Sequence, residues 1–277
     1  MPFFSILIPS YNRPEYISGL LDSIFESNFD DFEVIISDDF SPKQQEIKKI
    51  ITQYDPTKIK TYFHQINSGE SLNKKFLVSK ASGKFNILIG DDDRFTQSGL
   101  SSLYSFISKN PNHDVYTFGY NIIDEDNNII SKYKAPRQIN ISVSKDQYLY
   151  DLYCADMLPL WIFHPSTFCC RAGIEKEIEY KNNVGMAEDL FFIFEVVASE
   201  YSLIVIPDIM FEWRKIQIVS KSEQINQSSK FLADLSARVK IFDCLANDSL
   251  FEGKIREFSM RTNFQYRFLI KTLVSDN

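Results

Sequence analysis

Asp91, Asp92 and Asp93 stand side by side at the close of the apolar run Phe85-Asn86-Ile87-Leu88-Ile89-Gly90. Three adjacent carboxylates repel one another. Where a buried strand ends, such a cluster costs free energy unless water, a cation or backbone donors offset it. Two carboxylates just beyond a strand tip can hold a divalent ion, and hard oxygen ligands suit Mg²⁺ or Mn²⁺. A metal held there is placed to bridge a diphosphate. An acidic turn of the kind that ends many strands is the other reading, and the triplet alone does not choose between them. A second pair, Asp38-Asp39, stops the apolar run Phe32–Ser37 and could equally cap a following helix. A third, Glu188-Asp189, opens a Phe-rich helical pattern, where carboxylates also interact favourably with the helix dipole.

The elements that would position these groups follow from periodicity. Phe3 to Pro9 is a continuous apolar run, which marks a buried strand, and Pro14 sits at a helix start. Ile17, Leu20, Leu21 and Ile24 recur at helical spacing after it. Phe32–Ser37, Ile59–Phe63 and Phe85–Ile89 are predicted strands, with helices over Gln44–Tyr54 and Ser71–Ala81 between them. This alternation predicts an α/β fold with a mostly parallel sheet covered on both faces. Ligands in such sheets sit at the carboxyl ends of the strands. Four loops lie there: Ser10–Arg13, Asp38–Ser41, Asn67–Ser71 and Asp91–Arg94. Their convergence favours a cation site over an accidental acidic turn.

Beyond a helix at Gly99–Lys109 the pattern changes. Val115–Ile123 and Ile129–Tyr133 read as a hairpin around Asp124-Glu125-Asp126-Asn127-Asn128, a loop without the spacing and glycine of a calcium loop. A helix is expected at Gln147–Leu158 and a strand at Trp161–Arg171. Another helix is expected at Ala187–Ala198, and short strands at Leu203–Pro207 and Met210–Trp213. From Ser228 onward the chain reads as helical. Lys254, Arg256, Arg261, Arg267 and Lys271 are mixed there with aromatic and aliphatic residues, which suits either an interfacial helix or one packed with a solvated basic face.

A net charge of −7 on 277 residues argues against a general nucleic-acid binder. The four cysteines show no paired metal spacing, so reduced, buried thiols in a cytosolic protein are expected. No secretory leader and no run of membrane-spanning length is read, so a cytoplasmic location is expected, with room for peripheral contact at the inner face of the cell membrane.

The string Phe4-Ser5-Ile6-Leu7-Ile8-Pro9-Ser10-Tyr11-Asn12-Arg13-Pro14, followed by Phe32–Asp39, resembles the family 2 glycosyltransferases of the GT-A fold. So do Asn67-Ser68-Gly69 with Asn73, and Ala81-Ser82-Gly83-Lys84-Phe85 leading into the triplet. The resemblance covers roughly residues 3 to 215. It implies an inverting transferase that moves a sugar from a nucleotide diphosphate, most simply a UDP-sugar, to an acceptor hydroxyl. Family analogy further implies bacterial surface polysaccharide, such as O-antigen or capsule, built on a saccharide or lipid-linked acceptor.

Carried over by position, Pro9, Tyr11 and Arg13 line the nucleoside pocket, Asp39 accepts from the base and Asp38 lies near the ribose. Asn67, Gly69 and Asn73 belong to the same nucleotide-sugar site. Asp91 and Asp93 become the nearest ligands of Mn²⁺ or Mg²⁺, with Asp92 close by; Gly90 stands where the family motif usually begins with an acid. Asp189 becomes the general base, with Glu188 beside it. Relatives often carry a histidine after an arginine in the segment matching Trp213-Arg214-Lys215-Ile216-Gln217, and this chain has none there. Arg214 with Lys215 or Gln217 is then expected at the phosphates. His164 and Trp161 fall on the acceptor side, although a packed or surface histidine is the plainer account of His164.

The resemblance divides the chain into a catalytic domain over 1–220 and a helical extension over 221–277. The nucleotide-binding half is about 1–98 and the acceptor half about 99–220. Two other functions compete. A sugar-nucleotide nucleotidyltransferase would want a Gly-rich basic phosphate loop after the first strand, which Ser-Tyr-Asn-Arg-Pro is not. A catalytically silent nucleotide-sugar binding module would have no use for both Asp189 and the triplet.

Overall fold

The computed structural model describes residues 1–135, 138–141, 164–178 and 201–216, together with Phe192, Val196 and Ser199. They belong almost wholly to one compact unit, Met1–Ile141, Trp161–Glu179 and Tyr201–Ile216. A second unit comprises Ser142–Leu160, Tyr180–Glu200 and Gln217–Asn277. The helices expected at Gln147–Leu158, Ala187–Ala198 and beyond Ser228 fall in that second unit, essentially outside the described residues.

The first half alternates as its periodicity requires. Strands β1 (Phe4–Ser10), β2 (Phe32–Asp38), β3 (Ile59–Phe63) and β4 (Phe85–Leu88) enclose helices α1 (Pro14–Phe25), α2 (Gln44–Ile51) and α3 (Glu70–Lys80). β1 and β2 are apolar on both faces because helices cover both, and Ile6, Leu7, Ile8, Val34, Ile35 and Ile36 are completely buried. Pro14 takes the first turn of α1, where its missing N–H leaves no bond unmade. The buried face of that helix is Ile17, Leu20, Leu21 and Ile24.

Register then places the site. β1 pairs in parallel with β2 so that Ser10 lies opposite Asp38, which brings their loops out side by side. β1 also pairs in parallel with β4, Leu7 opposite Leu88. Followed three residues further, that register sets Asp91 beside Ser10.

The sheet continues past β4 with β9 (Phe168–Arg171), β6 (Val115–Ile123), β10 (Leu203–Arg214) and β5 (Arg94–Phe95). Helix α4 (Gly99–Lys109) leads into β6, and β7 (Ile129–Tyr133) and β8 (Ile139–Ile141) pair with β6 and β10. β6 and β10 run parallel to the first four strands, whereas β9 is inserted antiparallel between β4 and β6. The result is the mixed α/β, mostly parallel sheet expected.

Two details differ from the sequence reading. In the described part of the strand expected at Trp161–Arg171, β9 starts only at Phe168, because Pro165–Thr167 forms a 3₁₀ turn; its His164 ring accepts from the Ser166 N–H, and the Thr167 hydroxyl donates to the His164 carbonyl. The two short strands expected around Pro207 are one strand, β10, with register shifts between Ile206 and Ile209 and between Ile209 and Phe211. A proline cannot donate to the ladder, and an irregularity absorbs that without ending the strand. Among the described residues no helix is long and apolar enough to cross a membrane.

Behind the sheet, Glu175, on a short helix at Ile174–Glu177, accepts from the Asn86 side chain at 3.1 Å, and burial pushes its pKa from 4.5 to about 8. The neighbouring thiols Cys169 and Cys170 are buried and free, and burial pushes their pKa values up as well. Glu175 therefore keeps its proton in the fold where the unfolded chain has lost it. The stability it contributes is complete below about pH 4.5 and is lost progressively as pH rises toward 8. Glu175→Gln is expected to flatten that slope and to raise stability at about pH 8 by a few kcal/mol, with little change near pH 4.5. Urea unfolding at both pH values measures it; equal slopes for the two proteins would refute it.

Candidate active site

The triplet leaves β4 through Gly90 and is held from both sides. The Tyr11 N–H donates to Asp91 Oδ2 at 3.2 Å, and the Arg13 guanidinium lies 2.7 Å from Asp92 Oδ2 and 3.5 Å from Asp91 Oδ1. From the other side the Arg214 N–H donates to Asp93 Oδ1 at 3.0 Å and the Ser166 hydroxyl to Asp93 Oδ2 at 3.4 Å. Burial pushes the Asp91 pKa up to about 7, against the pull of Arg13. Burial and the Asp92 charge push Asp93 well above the usual carboxylate range. Gly90 settles how the motif is built. A Cβ there would stand 3.0 Å from Asp93 Oδ2 and 3.1 Å from Asp92 Oδ1, so those two carboxylates fill the space an acidic side chain at position 90 would need.

Among the described residues no three His, Cys, Asp or Glu side chains converge as a complete metal cluster. The donor set nevertheless fits a hard divalent cation. Mg²⁺ is commonly held by one or two carboxylates with substrate phosphates completing the shell. Here two oxygens from adjacent carboxylates crowd the same side of Gly90, and two of the three carboxyl groups are too buried to ionise cheaply without a positive partner.

Arg214 is placed differently from a phosphate ligand. Its Nε donates to the Asp92 carbonyl at 2.8 Å, and one terminal nitrogen donates to the Asp124 and Glu125 carbonyls at 2.8 and 3.3 Å. The other reaches Asn127 Oδ1 at 2.8 Å, and the guanidinium lies 5.0 Å from the Tyr16 ring centre. Four of its five N–H groups are thus spent on protein, and the residue ties the triplet to the β6–β7 hairpin tip. That tip closes on itself, with Asp124 accepting from the backbone and side chain of Asn128. Arg94, directly after the triplet, pairs with Glu212 on β10 at 2.5 Å, so the acidic segment is anchored twice to that strand. The Lys215 side chain is exposed.

The remaining loops form a second set of ties. Asp38 is fully buried and both of its oxygens accept from Ser41, one from the N–H at 2.9 Å and one from the hydroxyl, which makes it the staple of its own turn. The Ser41 hydroxyl oxygen in turn accepts from the Asn12 N–H at 2.7 Å. Asp39 Oδ1 accepts from the Ser68 N–H and hydroxyl at 2.8 and 2.9 Å, and Oδ2 from the Gly69 N–H at 2.8 Å. A carboxylate has about four acceptor positions, so these three donors leave one on Oδ2 unused. Gly69 adopts φ 88°, which glycine reaches without strain, and it also donates to Asn67 Oδ1 at 3.1 Å. Asn73 is buried. Its Nδ2 donates to the Ser37 carbonyl, while its Oδ1, like that of Asn12, has no hydrogen-bond partner among the described residues. Pro9 lies opposite Ser37 in the sheet, and Tyr11, whose backbone N–H meets the triplet, is half exposed.

The structure thus gathers Tyr11, Arg13, the triplet and Arg214 at one edge of the sheet, with Asp38 at the end of β2, Asp39, Asn67 and Gly69 in the adjoining loops, and Asn73 in the first turn of α3. His164 is packed among the Tyr120, Phe211 and Trp213 rings, where burial pushes its pKa down to about 3 and keeps it neutral. Asp189, Glu188 and Trp161 lie outside the described residues. Sequence reasoning missed Ser166, Glu212 and Asn127, which act through contacts between distant segments. It also missed Phe40, half exposed at φ 65° between Asp39 and Ser41. The other non-glycine residues at positive φ in the described chain are all asparagines, so nothing about a phenylalanine signals that conformation.

Comparison with solved structures shows the same architecture. The chain superposes on Staphylococcus aureus TarS (residues 1–349, in complex with UDP-GlcNAc) with a TM-score of 0.69, covering 96% of this chain and 72% of that one at 19% identity. It also superposes on the mannosyltransferase PcManGT of Pyrobaculum calidifontis, in complex with GDP-Man and Mn²⁺ (TM-score 0.62, 95% of this chain and 69% of that one, 13% identity). The fold is that of the GT-A glycosyltransferases. A sequence profile described as Glycosyl transferase family 2 matches residues 5–174, and the chain belongs to that family. Among curated relatives, the Campylobacter jejuni GalNAc(5)-diNAcBac-PP-undecaprenol beta-1,3-glucosyltransferase is 28% identical over 153 residues, which are 54% of this chain and 48% of that protein. The match thus spans about half the length of that relative.

Proposed function

We propose that this glycosyltransferase moves a sugar from a UDP-sugar to an acceptor hydroxyl with inversion at the anomeric carbon. The observation that carries the reading is the meeting of the buried triplet with the β1 loop at the carboxyl edge of the sheet, next to the loop that Asp39 holds. On this reading the Tyr11 ring packs on the base and the open position of Asp39 accepts its N–H. Asp91 and Asp93, with Asp92 adjoining, hold Mn²⁺ or Mg²⁺. The cation, when bound, neutralises charge on the departing nucleoside diphosphate. Asp189 takes the acceptor proton, with Glu188 its neighbour. No residue of the four loops is an evident covalent nucleophile, so a single displacement is the simplest path. The names of the relatives support a nucleotide-sugar donor and an undecaprenol diphosphate-linked acceptor, with peripheral contact at the membrane where such an acceptor lies.

Calorimetry with UDP, with and without Mn²⁺, tests the donor side: UDP is expected to bind, more tightly with metal. An absence of binding in both conditions would remove the reading. A β-linked product from an α-linked donor, read from the anomeric proton coupling, tests inversion.

A further inference from the structure

Arg13 lies on the triplet itself. Its guanidinium holds Asp92 at 2.7 Å and touches Asp91 at 3.5 Å, while its side chain is 47% exposed and the two carboxylates only 15% and 5%. Three other basic groups of the neighbourhood are committed elsewhere, Arg214 to the hairpin carbonyls, Arg94 to Glu212 and Lys74 to Glu70, and the Lys215 side chain is exposed. Among the described residues, Arg13 is the side chain that gives its charge to Asp91 and Asp92.

We propose that Arg13 is the resident counter-ion of the triplet, holding Asp92 Oδ2 and Asp91 Oδ1, the Asp91 oxygen that the Tyr11 N–H leaves for a divalent cation, and releasing them for the diphosphate when cation and nucleotide arrive together. This rests on the transferase reading above. A guanidinium and a divalent ion cannot share one carboxylate oxygen without strong repulsion. The triplet is fixed by backbone and buried partners, so the long, half-exposed arginine is the member that moves, and leaving sacrifices little packing. A guanidinium pairs with phosphate oxygens as well as with carboxylates, so the diphosphate gives it a second seat. The consequence is a reciprocal coupling in which each ligand tightens the other, while the metal alone binds weakly.

The test uses the full chain with Mn²⁺ alone, UDP alone and both together, followed by calorimetry and by the paramagnetic resonance of free Mn²⁺. Arg13→Gln keeps the hydrogen-bonding reach and removes the charge. It is expected to bind Mn²⁺ alone at least tenfold more tightly than wild type, to bind UDP alone more weakly, and to show a smaller mutual enhancement. Arg13→Lys, which keeps the charge, is expected to stay near wild type in all three. Mn²⁺ affinity that is unchanged or lower in Arg13→Gln overturns the proposal, as does a wild-type protein in which UDP and Mn²⁺ do not enhance each other. If UDP binds none of the proteins with or without Mn²⁺, the transferase reading falls, and the Mn²⁺-alone comparison still decides the role of Arg13.

Discussion

Asp189→Asn is expected to lower glycosyl transfer by about 10²- to 10⁴-fold while UDP binds almost as tightly as to the wild type, with and without Mn²⁺. The amide keeps the size and much of the hydrogen bonding of the carboxylate but cannot accept a proton from the acceptor hydroxyl. On the proposed reading, donor binding draws on a different part of the chain, the β1 and β2 loops and the triplet. The change therefore separates the two halves of the reaction: calorimetry reads the donor and single-turnover transfer reads the base. Transfer near the wild-type rate would move the base elsewhere, and Glu188→Gln is then the next variant, because the two acids are adjacent in Gly185-Met186-Ala187-Glu188-Asp189-Leu190.

Asp93→Asn is expected to act on the opposite half. UDP affinity in saturating Mn²⁺ should fall about 100-fold, close to 3 kcal/mol, whereas UDP affinity without metal changes little. The fold should survive and even gain stability. Asp93 is almost completely buried, and both burial and the Asp92 charge oppose its ionisation. An amide carries none of that charge and still presents an oxygen to the Arg214 N–H. Loss of stability without loss of metal-dependent affinity would show that Asp93 is a structural carboxyl and that the cation, if bound, depends on its neighbours.

The first half of the fold is legible because two signals agree there. Phe4–Ser10 and Phe32–Asp38 are apolar on both faces; the first is followed by α1, whose buried positions recur at 3.6 residues, and the second by α2, where Ile47 is buried and Ile50 and Ile51 pack partly buried against the core. The loops at their ends follow from topology, so the neighbourhood of the triplet follows as well. The second half breaks that agreement. β5 is two residues long and hides behind the triplet, and Pro207 looks like the end of a strand that in fact continues. β9 shares neither periodicity nor neighbourhood in the chain with the strands it joins.

At the site, residue type was readable and direction was not. Arg214 and Arg13 are the same residue type, yet one faces carbonyls and the other carboxylates. Asp38 and Asp39 are adjacent, yet one staples its own turn and the other secures a loop 30 residues away. The acidic hairpin loop acts on the site chiefly through backbone carbonyls and Asn127, which its charge does not announce.

The position of β9 also sets a clock on biosynthesis. β4 and β6 are parallel, and among the described residues the slot between them is filled by residues 168–171. Until that segment emerges from the ribosome, both strands present unpaired edges, the template on which other chains add. The nucleotide half can form its local βα contacts early. The sheet, however, closes across the 79 residues between Phe85–Leu88 and Phe168–Arg171, a late and slow contact. The strand that joins the two halves of the sheet is therefore also the step at which a nascent chain is most exposed to misassembly.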